Sequence, residues 1–301
     1  MTMPTSTPKP EWLKVRAPGG ERYGFIKNRM RELGLATVCE EARCPNIGEC
    51  WGGGTATIMV MGDTCTRGCR FCAVKTNRNG QPLDPEEPVK VAEMVTQLDL
   101  EYIVVTSVDR DDLEDQGSSH FAQVVREMKA RQPELLVEIL IGDFRGQREL
   151  VDIVAQSKPD VIAHNIETVE RLTPRVRDPR AKYRQSLDVL RFIKESTPDV
   201  VSKTSIMLGL GETEEEVVQT LQDLKAVGCE IVTFGQYLQP TPKHLKVEEW
   251  VTPEQFAKYQ AIADEMGFMY VASGPLVRSS YRAGELFIKG QIESRKAVSR
   301  T

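Results

Sequence analysis

From residue 57 to residue 272 the chain alternates between short apolar runs and amphipathic stretches. Apolar, largely β-branched runs at 57–61, 102–108, 135–141, 160–164, 200–208 and 230–238 predict six strands, with a weaker seventh at 268–272. Each is continuously apolar, the pattern of a parallel strand buried on both faces. Helical patterns lie between them. The best marked opens with Thr213-Glu214-Glu215-Glu216, a capping box in which Thr213 takes the N–H three residues on and Glu216 reaches back. Val217, Leu221 and Leu224 then share one face. Thr252-Pro253 opens another helix, with proline at its first position. This alternation predicts an α/β barrel, or an open part of one. A doubly wound sheet is the alternative, weakened because no glycine-rich nucleotide fingerprint follows any strand. Residues 1–36 read as a basic, Pro/Gly-bearing arm ending in a short helix at 25–33.

Composition narrows the class. The chain has 301 residues, 40% hydrophobic, with 39 Lys+Arg against 44 Asp+Glu and a net charge of −5. That suffices for a full core and gives no reason to expect nucleic acid as a partner. No uncharged apolar run approaches the roughly 18–20 residues that span a bilayer, so no membrane role is expected. The first residues lack a signal-peptide stretch and hold few basic residues, so they read as a flexible tail and the expected location is cytoplasmic. Six of the seven cysteines fall between Cys39 and Cys72, and Cys229 stands alone. An odd number crowded into one segment is a poor disulfide framework. Metal binding in a reducing compartment fits better.

Cys65-Thr66-Arg67-Gly68-Cys69-Arg70-Phe71-Cys72 is a CX3CX2C run just after the first strand. That position is the active-site face of a βα barrel. Three thiolates there could hold a [4Fe-4S] cluster with one iron left open, or a structural zinc completed by a distant residue. Cys39, Cys44 and Cys50 form a second three-cysteine run, CX4CX5C, just upstream. A zinc knuckle, or one cluster shared by both loops, are its other readings.

The first run, with an aromatic before its last cysteine, resembles the radical S-adenosylmethionine (SAM) enzymes. Its pairing with CX4CX5C, and with Arg278-Ser279-Ser280-Tyr281, His164-Asn165-Ile166-Glu167-Thr168 and Val176-Arg177-Asp178-Pro179, is similar to the lipoyl synthase family over about residues 35–290. The resemblance implies a partial (β/α)6 TIM-type barrel over 55–272. An N-terminal extension over 1–54 would carry the auxiliary cysteines, and a C-terminal extension over 273–301 a serine ligand. It implies two [4Fe-4S] clusters and SAM as cofactors. Cys65, Cys69 and Cys72 would hold the reducing cluster, and Phe71 would pack near the adenine. Cys39, Cys44, Cys50 and Ser280, with Ser279 as fallback, would hold the auxiliary cluster. The implied activity is insertion of two sulfurs, at C6 and C8, into a protein-bound octanoyl chain, with the auxiliary cluster as sulfur donor and a deoxyadenosyl radical removing hydrogen. The implied partners are octanoylated lipoyl-domain proteins (2-oxoacid dehydrogenase E2 subunits and the glycine cleavage H protein), a ferredoxin or flavodoxin type reductant and an iron-sulfur carrier protein. A methylthiotransferase, an iron-sulfur electron carrier and a zinc scaffold are the rival readings.

Further candidates rest on position. Asn165 and Glu167, just past a strand, could hydrogen-bond SAM, and Glu167 could equally cap the next helix. Arg177 and Lys203 could meet a carboxylate or serve as ion-pair partners. Gly209-Leu210-Gly211-Glu212 is an anion loop or a plain βα turn. The acidic run Asp109–115 reads as a solvated loop or a docking element. His120, His164 and His244 share no ligand spacing, and Cys229 reads as a buried small residue.

Overall fold

The computed structural model describes residues 9–15, 18–52, 57–98, 100–280 and 290. The N-terminal tail up to residue 8 and Tyr281 of the RSSY motif lie outside the described residues.

Ten strands are described: β1 Ala36–Thr37, β2 Thr57–Val60, β3 Thr64–Cys65, β4 Lys75–Thr76, β5 Tyr102–Ser107, β6 Leu136–Leu140, β7 Val161–Ala163, β8 Val201–Leu208, β9 Ile231–Gln236 and β10 Tyr270–Ser273. Eight form one sheet in the order β1-β2-β5-β6-β7-β8-β9-β10, parallel throughout except for β1 against β2. The sheet runs in chain order and, among the described residues, its two end strands do not pair with each other, so this is an open barrel of six β/α units followed by a seventh parallel strand. All seven apolar runs of the sequence are strands. β3 and β4 form a separate parallel pair that carries Cys65.

Helices Glu87–Leu98, Ser118–Arg131, Arg148–Ala155, Tyr183–Ser196, Glu214–Ala226 and Pro253–Glu265 cover the outside. Their buried faces, such as Val91 and Val95 or Val217 and Leu221, pack on the strands in one core. Both sequence-read caps are present, including the reciprocal Thr213–Glu216 box.

The barrel floor is filled by Tyr102, Val104, Leu136, Val161, Val201 and Ile231. Just above it Lys203 donates to Glu138 at 2.6 Å, both buried, and Tyr102 donates its hydroxyl to the same carboxylate. Lys203 is therefore committed to this pair, which corrects its placement as a possible ligand for a substrate carboxylate. Side chains two residues on along each strand, Leu140 and Ser205, line the cavity above.

The first cysteine loop and the segment after β10 meet over that cavity. Asn46, in the first cysteine loop, donates from Nδ2 to the Leu276 carbonyl at 2.7 Å. Gly235 of β9 lets the C-terminal segment lie flat on the barrel: a Cβ there would sit 2.1 Å from the Val277 carbonyl oxygen.

Removing one partner of the buried pair leaves an unpaired buried charge, which costs about 3–5 kcal/mol. Lys203→Met should lower the urea-unfolding free energy by that order. Adding Glu138→Leu should recover most of the loss.

Candidate active site

A cavity of about 550 Å³ opens at the C-terminal ends of the strands. Five of the six clustered cysteines line it: Cys39 and Cys44 from the first loop, and Cys65, Cys69 and Cys72 from the second. Ser279 and Ser280, Phe71, Asn165, Glu167 and Arg177 line it too. Cys50, half-buried in the short helix Ile47–Gly52, is not among the lining residues. All seven cysteines are free, and Cys229 is buried away from this site.

Cys65, Cys69 and Cys72 line the same cavity, close enough for each thiol to interact electrostatically with another of the three. Burial pushes all three thiols up to about 12. Backbone N–H groups nonetheless point at the sulfurs: Arg67 and Asp109 at Cys65, both at 3.4 Å, and Asp178 at Cys69 at 3.3 Å. Such donors favour thiolate and tune a cluster's potential. Among the described residues no three or more His, Cys, Asp or Glu are gathered as for a single metal ion. A zinc ion holds each sulfur at about 2.3 Å, whereas a four-iron cube needs its thiolates spread round a larger body. The donor set of three soft ligands around one open space suits such a cluster.

Past β7, Glu167 bridges to Ile206 with φ at +69°. This left-handed backbone at a non-glycine residue turns the chain into the cavity. Glu167 accepts from Asn165 Nδ2 at 3.1 Å, and burial pushes its carboxyl up against the pull of the Arg177 guanidinium. Asn165 Oδ1 is a buried acceptor without a donor. Glu167 is not a helix cap: the next turn has Val169 at its N-cap position.

Arg177 is fixed by a relay. Its Nη1 donates to Ser186 Oγ at 2.7 Å, and that oxygen lies 2.9 Å from His164 Nε2. His164 Nδ1 faces the Ile141 carbonyl at 3.0 Å. A carbonyl only accepts, so Nδ1 carries the proton and Nε2 accepts from Ser186. Burial, reinforced by Arg177, lowers the His164 pKa to about 4.

The acidic run after β5 is split: Asp112 and Glu114 are exposed, as a solvated loop would have them, whereas Asp109 and Asp111 are drawn inward to a buried arginine. Arg67, buried in the cysteine loop, forms a two-pronged pair with Asp111 at 2.8 and 2.9 Å and meets Asp143 at 2.6 Å. This network was not legible in the sequence, because its partners lie 44 and 76 positions from Arg67. The glycine loop after β8 is a turn, not an anion site: Glu212 already takes the amides of Gly209 and Leu210. His120 faces Glu87 at 2.6 Å, and His244 donates from Nε2 to the Cys72 carbonyl at 2.9 Å.

Residues 59–224 match the radical SAM superfamily, and residues 5–44 match the N-terminal domain of lipoyl synthase of the radical SAM family. The mitochondrial lipoyl synthase of Branchiostoma floridae is 61% identical over 292 residues, covering 95% of this chain and 78% of that protein. That of Aedes aegypti is 61% identical over 291 residues, with 95% and 74% covered. That of Sorghum bicolor is 57% identical over 300, with 98% and 78% covered. The chain belongs to the lipoyl synthase family. It is therefore an enzyme, a radical SAM sulfurtransferase. Two crystal structures share the fold at low identity: HydG, a maturase of the [FeFe]-hydrogenase (TM-score 0.57, 15% identity, covering 86% of this chain and 57% of that one), and Streptococcus suis SuiB bound to precursor peptide SuiA (0.56, 9%, 86% and 56%). The same relatives overturn the cytoplasmic expectation, since all three are mitochondrial proteins. Unpaired cysteines point to a reducing compartment, but they do not distinguish one such compartment from another.

The His164 relay predicts a pH dependence. Between pH 6.5 and 4 the unfolded chain binds a proton that the folded one refuses, so stability falls as pH falls through that window, by about 3 kcal/mol in all. Urea midpoints at pH 7 and 4.5 should show a smaller acid loss in His164→Asn than in the wild type.

Proposed function

We propose that Cys65, Cys69 and Cys72 hold the cluster that cleaves SAM, and that Cys39, Cys44, Cys50 and Ser280 hold a second, auxiliary [4Fe-4S] cluster that gives sulfur to the octanoyl chain at C6 and C8. The observation carrying this reading is that both cysteine loops and Ser279-Ser280 face one cavity at the barrel mouth. When bound, the first cluster supplies the electron and the second the sulfur.

The chain's own residues bind and orient. Arg177 and Glu167 offer a cation and a carboxylate to the two charged groups of an amino acid, and Asn165 Oδ1 awaits a donor. Phe71 supplies an apolar face for the adenine. Met59, Val108, Leu140 and Ile206 wall the cavity with apolar surface, which keeps water from reactive species. Arg278 lies close enough to Cys44 for their charges to interact, and so offsets anionic charge there. A serine alkoxide is a harder ligand than thiolate, so its iron is the one most easily released from a cluster meant to be dismantled.

The chain divides functionally at 1–54, 55–272 and 273–301. The first and last parts build the auxiliary site and the middle part the barrel. Its partners are octanoylated lipoyl-domain proteins, among them 2-oxoacid dehydrogenase E2 subunits and the glycine cleavage H protein. A ferredoxin or flavodoxin type reductant supplies electrons, and an iron-sulfur carrier protein rebuilds the auxiliary cluster.

Replacing Cys65, Cys69 and Cys72 together with Ala should abolish 5′-deoxyadenosine formation while about half of the iron remains. Continued SAM cleavage in that variant would sink the assignment.

Ser280→Cys should load iron normally yet transfer sulfur poorly, whereas Ser279→Cys should behave like the wild type. Sulfur in the lipoyl product should come from a pre-labelled cluster. Label arriving from free sulfide while the cluster stays intact would refute the donor role.

A further inference from the structure

The three residues between Cys65 and Cys69 are each bonded to the barrel rim. Thr66 donates from Oγ1 to the Asp109 carbonyl at 2.9 Å and accepts from the Asp111 amide at 2.9 Å. Gly68 donates its amide to Asp178 at 2.9 Å. Arg67, only 3% exposed, sends its guanidinium down among Asp111, Asp143 and, at 3.7 Å, Asp109. Asp111 is held in turn by Arg145 at 2.8 Å and Arg180 at 3.2 Å, and Arg180 also grips the Thr66 carbonyl at 2.7 Å. The guanidinium thus ties the loop to two βα connections, those after β5 and β6, while the Gly68 amide and Arg180 tie it to a third, after the short helix Thr173–Val176.

The backbone beneath is strained. Phe144, Arg145 and Gly146 run through φ values of +44°, +51° and +72°. Two of the three have side chains, and such a run persists only where its surroundings over-determine it. Here Asp143 accepts the Arg145 amide at 2.9 Å while the Arg145 side chain reaches Asp111. The turn thus aims Asp143 at Arg67.

We propose that Arg67 is a positioning residue: its fork into Asp111 and Asp143 fixes the arrangement of Cys65, Cys69 and Cys72 in the cavity that Asn165 and Glu167 also line, the arrangement in which the three thiolates would hold a cluster. This rests on the reading that the trio carries the SAM-cleaving cluster. Only a planar, two-pronged cation serves Asp111 and Asp143 together; a lysine keeps the charge and loses the fork.

The test compares wild type, Arg67→Lys and Arg67→Met in two measurements. In the iron-free protein, iodoacetamide labelling followed by mass spectrometry reads each cysteine separately. Labelling of Cys65, Cys69 and Cys72 should speed up about tenfold in both variants, as when a loop opens more easily by about 1.4 kcal/mol. Cys39, Cys44, Cys50 and Cys229 should keep their wild-type rates. In the reconstituted, reduced protein, the change that SAM makes in the cluster's electron paramagnetic resonance spectrum should be lost in both variants while the SAM-free signal remains. Unchanged labelling of the trio, or full rescue by lysine, would overturn the proposal. So would faster labelling of all seven cysteines together in both variants, which would make Arg67 a general stabiliser. If the triple Cys→Ala variant still shows the SAM-induced spectral change, the assignment of the trio fails instead, and the labelling result stands apart from it.

Discussion

Three thiols held in a buried cavity govern the rest of the structure. Burial drives their protons on, up to a pKa of about 12, while any soft-metal chemistry requires their protons off. Binding must therefore supply the free energy of ionisation as well as of ordering. The surroundings reduce that demand in fixed ways. Amide hydrogens point at Cys65 and Cys69, and Arg177 stands near Cys69 with its position set by Ser186 and a neutral His164. Were His164 to charge, it would face Arg177 across a hydroxyl, so the low basicity of one group protects the placing of the other.

The barrel was readable because its signal is local. Strands buried on both faces must be continuously apolar, so each run, from 57–61 to 268–272, announces itself within a few residues. The cysteine runs were readable for the same reason, since their spacing alone confines three sulfurs to one loop. What the residues could not disclose was pairing across the barrel. Asp111 looks like one more charge in an acidic run until Arg67 is laid beside it. Lys203 looks available until Glu138, 65 positions away, is found to hold it. The left-handed turn at Phe144–Gly146 carries a single glycine as its mark. In each case a long-range partner changes the meaning of a residue whose own neighbourhood is ordinary.

The two cysteine runs sit on supports of different kinds. Cys65 starts from a strand pair and is bolted by Arg67 to the rim of a packed barrel. Cys39 is buried in the core and Cys44 half-buried in the loop after it, and this loop reaches the C-terminal segment through Asn46 and the Leu276 carbonyl, a segment that Gly235 allows to lie against β9. Local stability follows from the number of buried contacts and bonds that must break together. Opening the first support disrupts a charge network that spans three βα connections. Opening the second needs release of the Asn46–Leu276 contact and of the short β1–β2 pairing.

That asymmetry matches the division of labour proposed for the two sites. A centre that cleaves SAM repeatedly gains from being locked, because each turnover needs the same open iron facing the same ligand groups. A centre that surrenders sulfur must be emptied and filled again, and a rigid enclosure would slow both. In the proposed arrangement that centre lies between the first cysteine loop and the segment after β10, neither of which is one of the seven parallel strands, although β1 ties the N-terminal part to β2. A centre shared in the way proposed is complete only when both segments are in place, so its loading and the closure of the two segments would stabilise each other through linkage.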